Sequence, residues 1–100
     1  MSALPVIFSP EAVAQLESIR AYVADQASPA VANAYVDRIL AQCGKLGQLP
    51  WIGTPRDDLR PGLRSLSFER RLTILHRIMD NRVIVVALAY GGRDLAKLLI

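Results

Sequence analysis

One hundred residues carry 52% hydrophobic and 21% charged side chains, with a formal net charge of +3. That composition is globular rather than disordered. No apolar run approaches the ~18 residues of a membrane span, and no basic segment leads into a long apolar run as a signal peptide would. One domain over residues 1–100, acting in the cytoplasm, is therefore expected, and the single cysteine, Cys43, excludes an internal disulfide.

Residues 4–8 (LPVIF) form a short apolar run, read as a strand, and Pro5 near its start places it at a sheet edge. Ser9-Pro10-Glu11 is a helix start: a capping serine, a proline in the first turn and an acid near the positive end of the dipole. Val13, Leu16, Ile19 and Val23 follow at helical spacing. Ser28-Pro29 repeats the start signal, and Ala32, Tyr35, Val36, Ile39, Cys43 and Leu46 form a second apolar stripe. Two amphipathic helices so closely joined predict an antiparallel hairpin. Gly44, Gly47 and Pro50 end the second helix. Residues 49–55 (LPWIGTP) have no periodicity; Trp51 is expected to pack this loop onto the core, with ligand stacking as the lesser alternative.

Strands then follow in a run. Residues 63–69 are the first and residues 72–79 the second, with Leu72, Ile74, His76 and Ile78 on one face and Arg71, Thr73, Leu75 and Arg77 on the other. Asp80-Asn81 is a hairpin turn. Residues 83–90 (VIVVALAY) are apolar on both faces, which marks a central or doubly covered strand, and Gly91-Gly92 ends it. In the tail, Leu95, Leu98 and Leu99 recur at helical spacing, as the last piece of core or as an apolar patch awaiting a partner. The order β-α-α-β-β-β with a short C-terminal helix defines an α+β fold, the helical hairpin packed on a mainly antiparallel sheet.

Charge is uneven along the chain. Residues 1–50 carry three basic side chains against four acidic, and residues 51–100 carry nine against five, so the halves net −1 and +4. Eight of those nine are arginines. Set among strand residues, Arg64, Arg70, Arg71 and Arg77 face a rigid sheet and can present fixed guanidinium forks to a phosphate or carboxylate partner. Arg64 shares a face with Leu66 and Phe68, so it is expected to pair with Asp57, Asp58 or Asp94 or to meet a target. Arg71 and Arg77 are expected on the solvated face. His76, the sole histidine, lies among apolar neighbours, which favours packing over acid–base chemistry. Cys43 belongs to a core stripe. With no Cys/His cluster, phosphate-binding glycine loop or carboxylate pair in the sequence, neither a metal nor a cofactor is expected.

The Pro50-x-x-Gly53 turn, the Arg60-Pro61-Gly62-Leu63-Arg64 run, the Arg71-x-Thr73-Ile74 strand and the closing Tyr90-Gly91-Gly92-Arg93-Asp94-Leu95, with Ala12, Leu16, Ile19 and Tyr22 on the first helix, resemble the ParE branch of the RelE/ParE toxin superfamily. The resemblance implies a toxin of a bacterial type II toxin–antitoxin pair that inhibits DNA gyrase by binding, blocks replication, and is neutralised by a ParD-like antitoxin. DNA would be touched only indirectly, through the antitoxin or gyrase complex, and no membrane is involved. Contacts with target or antitoxin are expected from Arg60, Arg64, Arg71 and Arg93 and from Leu95, Leu98 and Leu99.

The RelE branch instead cleaves mRNA on the ribosome, and is the alternative. Such cleavage needs a proton acceptor, a proton donor and cations for the developing phosphorane charge. Arg64, Arg71 and His76 are the residues available for it. The tail after Arg93 lacks the Tyr or His that branch often carries, and arginine stays protonated. A toxin that has lost activity and survives as an antitoxin-binding scaffold is a third possibility.

Overall fold

The computed structural model describes residues 3–92 and 94–99. Strand β1 (Val6–Phe8) leads into helices α1 (Pro10–Gln26) and α2 (Pro29–Lys45). Strands β2 (Thr54–Pro55), β3 (Arg64–Phe68), β4 (Leu72–Met79) and β5 (Arg82–Tyr90) follow, then the one-turn helix α3 (Leu95–Leu98). The α+β order is the one the sequence implies, with the two-residue β2 added. The sheet runs β1-β5-β4-β3-β2, with β1 parallel to β5 and every other pair antiparallel.

Both helix starts form as the Ser-Pro signals require. Ser9 Oγ accepts from Ala12 N at 3.0 Å and Ser28 Oγ from Val31 N at 3.1 Å. Ser9 also donates to the carbonyl of Val86 at 2.8 Å, so this cap ties α1 to β5. Pro5 precedes β1 at the edge of the sheet, where its carbonyl accepts from Val83 N at 2.8 Å. Beyond β1 the edge of β5 meets α1, and Gln15 Oε1 accepts from Leu88 N at 2.7 Å. Gly47 passes so close to the Leu4 carbonyl that any Cβ would overlap it, and Leu4 N bonds back to Gly47 O at 2.8 Å.

The principal core lies between the helical hairpin and one face of the sheet. Leu16, Ile19, Val36, Ile39 and Cys43 meet Leu72, Ile74, Val83, Val85 and Leu88 there. A smaller cluster of Leu63, Leu75 and Ala87 fills the opposite face, covered by Leu59, Leu95 and Leu99. β5 is thus apolar on both faces because both are covered. A bulge lies between Leu75 and His76: Leu75 pairs with Ala87, His76 with Val85, and Val86 is the extra residue. It lets Val85 and Leu88, three positions apart, both face the helices.

Two hairpin turns have left-handed residues in pairs, Glu69 (φ 48°) with Arg70 (φ 67°) and Asp80 (φ 54°) with Asn81 (φ 58°). Only the second pair is of the residue types that favour this conformation. The first turn ends β3 at Phe68, one residue short of the expectation, and takes Arg71 out of the strand.

Candidate functional site

Arg64 opens β3 opposite His76. Its Nε donates to the carbonyl of Trp51 at 3.0 Å, and its guanidinium lies over the indole at 5.9 Å from the ring centroid. None of the three expected carboxylates pairs with it. Asp57 accepts from Gly62 N at 2.8 Å, Asp58 holds Arg56 through two 3.0 Å bonds, and Asp94 caps Ala96 N at 3.0 Å. Each is consumed by the local turn it sits in.

Trp51 is 70% exposed, which corrects the expectation that it packs on the core. Ile52 does the packing instead. Gly53, at φ +96° and pressed against the Ser65 carbonyl, turns the loop so that the indole stays outside. An outward tryptophan backed by an arginine is the composition of a binding hot spot.

His76 is completely buried. Burial lowers its pKa below the ordinary histidine value and the nearby Arg64 charge lowers it further, while the Ile52 carbonyl acts in the opposite sense. That carbonyl is close enough to act electrostatically, yet neither ring nitrogen forms a hydrogen bond of acceptable geometry among the described residues. The imidazole is therefore a neutral packing group sealed from solvent.

Arg71 is not on the face opposite the helices. It lies in the Glu69–Arg70 turn and lines a cavity of about 390 Å³ with Gln15, Ile19, Tyr22, Leu88 and Tyr90. Tyr22 and Tyr90 meet tilted at 59° with ring centroids 5.7 Å apart, and Tyr90 meets Tyr35 edge-on at 6.1 Å. Burial is the first cause that raises the Tyr35 pKa, and Arg38 and Arg71 oppose it. Arg38 caps this end of the molecule, bidentate to Glu69 at 2.8 and 3.0 Å and 5.4 Å from the Tyr35 centroid. Sequence reasoning took Tyr22 only as a family position and missed Tyr90 and Gln15 as groove residues. Tyrosines at the end of an apolar strand and an early helix were the signal present.

Arg60 lies on the other face. Its Nη2 donates to the carbonyl of Leu99, which helps hold α3 against the sheet. Leu95, Leu98 and Leu99 are half-buried, and Leu95 and Leu99 join the small cluster, so the tail completes the core. Arg77 stays on the face opposite the helices, as alternation requires, but it is half-buried rather than solvated. Arg93 lies outside the described residues. The candidate residues thus occupy three separate places: Arg64 with Trp51, Arg71 at the tyrosine groove, and Arg60 with the tail leucines. Among the described residues no group of three or more His, Cys, Asp or Glu is placed to hold a metal, and no helix is long and apolar enough to cross a membrane.

A helical hairpin packed on one face of a small, mainly antiparallel sheet is the architecture of the RelE/ParE type of toxin fold. The pattern of the ParE toxin of type II toxin-antitoxin systems, parDE, matches residues 6–95, and the chain belongs to this family. It is 35% identical over 66 residues to Toxin ParE3 of Caulobacter vibrioides; the match covers 66% of this chain and 65% of that relative, just under two thirds of the relative's length. A solved chromosomal ParDE system from P. aeruginosa has the same fold, with a TM-score of 0.79 at 22% identity over 90% of this chain and 98% of that one.

Proposed function

We propose that this ParE-family toxin arrests growth by binding DNA gyrase and blocking replication, with no chemistry of its own, and that a ParD-like antitoxin holds it inactive. The observation that carries the non-enzymatic part is the burial of His76: the sole histidine is sealed and neutral, so it meets no substrate. Arg64 and Arg71, the cations of the nuclease alternative, lie at opposite ends of the β3–β4 hairpin. Four residue steps separate Arg64 from Phe68, ~13 Å of strand, and Arg71 lies beyond the turn. They do not converge on one phosphate.

Two features support antitoxin binding. Val13 and Tyr22 on α1 and Val31 and Leu40 on α2 are large side chains 41–52% exposed on the flanks of the two helices, contact area that suits a partner wrapped around the hairpin. The tyrosine groove beside the free end of β5, with Arg71 at its rim, suits an extended segment bearing an acid.

Gyrase supercoiling with and without the purified protein tests the proposal. Dose-dependent inhibition with accumulation of cleaved DNA is expected. Unimpaired supercoiling at a large excess of folded toxin, together with message cleavage in a ribosome-dependent translation extract, would establish the nuclease instead.

A further inference from the structure

On the sheet face away from the helical hairpin, Arg60 and Arg77 line a second cavity of about 280 Å³. Ser9 and Glu11 line it as well, and the apolar part of its wall is Met79 and Ile84 from the β4–β5 hairpin, Val86 at the bulge, and Leu98 and Leu99 from the tail. The Nε of Arg77 is buried and has no hydrogen-bond partner among the described residues. An unpaired guanidinium donor against apolar walls is unfavourable unless something compensates it. Among the described residues, nothing in the cavity does so. Glu11 lies on the rim but forms no ion pair with either arginine within 4.0 Å among the described residues. Ser9 is already engaged, donating to Val86 and accepting from Ala12.

We propose that this cavity is a socket for a single carboxylate, an acidic side chain on an extended segment of a protein partner. Among the described lining residues, two arginines against one glutamate leave one positive charge in excess, which matches one carboxylate. The apolar walls suit the short aliphatic stem of a glutamate. A nucleic-acid strand fits less well, because it carries a phosphate every ~3.4 Å along its axis and the Glu11 carboxylate would repel those flanking the bound one. Apart from Ser9 and Glu11 at the start of α1, the lining comes from the sheet, the Arg60 loop and the tail, so the exposed faces of the hairpin are not part of it. The inference stands whether or not gyrase is the target.

The test is NMR titration of the full-length protein, following the arginine Nε–H signals. N-acetylglutamate amide is compared with N-acetylglutamine amide and with a thymidine dinucleotide. A saturable shift of the Arg77 signal is expected with the glutamate compound alone. Arg77→Met should abolish the parallel glutamate-dependent shift of the Arg60 signal while leaving the unfolding midpoint unchanged or higher, because the substitution removes an uncompensated buried donor but keeps the apolar stem. Glu11→Gln, at an exposed position, should tighten glutamate binding a few-fold and keeps the test valid if Arg77→Met does not fold. The proposal is overturned by equal shifts from the glutamine compound, by absence of a saturable shift, by tighter binding of the dinucleotide, or by no gain of affinity in Glu11→Gln.

Discussion

At the scale of single residues, the decisive contrast is between His76 and Trp51, a polar ring sealed inside and an apolar ring left outside. His76 has its pKa lowered by burial, so the folded state resists the proton that the unfolded chain takes up near the ordinary value of 6.5. Stability is then full above that value and falls as pH drops from it toward the lower folded pKa. His76→Phe should remove this acid-side loss, seen as equal urea midpoints at pH ~7.5 and ~5.5 where the parent differs, and should retain growth arrest. Loss of arrest in folded His76→Phe would revive the nuclease alternative. Trp51→Ala removes little buried surface and one exposed cation–π contact, about 0.5–1 kcal/mol of stability. The same change should weaken the relevant complex by about 2 kcal/mol or more if the indole anchors a partner, read by calorimetric titration with antitoxin and with gyrase. An unchanged affinity for both would leave the Trp51–Arg64 pair without a binding role.

At the scale of elements, the two Ser-Pro helix starts look alike in sequence and differ in what they hold. Ser28 caps α2 alone, whereas Ser9 caps α1 and also satisfies the Val86 carbonyl at the bulge of β5. Ser28→Ala should cost about 1 kcal/mol, the usual loss of a cap. Ser9→Ala should cost about 2–3 kcal/mol, because the partly buried carbonyl also loses its donor. Urea unfolding of the two variants side by side measures the difference, and equal losses would show that the link from α1 to β5 contributes nothing. Both caps were legible in the sequence because capping is local, spanning three residues. The bond from Ser9 to Val86 joins positions 77 apart, and no local pattern announces it. The Glu69–Arg70 turn was illegible for another reason: neither residue type favours a left-handed backbone, and strand pairing on both sides imposes it.

At the scale of the whole molecule, the larger core closes over one face of the sheet and leaves the cations outside it. Cys43 lies at its centre, fully buried, with its thiol pushed up to about 12 by desolvation. The native protein should therefore react with thiol reagents only through global opening, and the labelling rate should follow the unfolding equilibrium across a urea series. Fast labelling without denaturant would mean that the helical hairpin opens by itself. The sequence by itself determined the α+β class, the order of the main elements, the two caps, the core stripes and the burial of β5 on both faces. Each of these follows from periodicity or from capping chemistry within a few residues. Only the tertiary structure decided that Trp51 faces out, that Arg71 joins the tyrosine groove, and that Arg60 and Arg77 meet in one cavity. Those outcomes depend on a two-residue strand, a left-handed turn and a one-residue bulge. Each redirects side chains by a single position, and a period-2 pattern inverts its faces on such a shift.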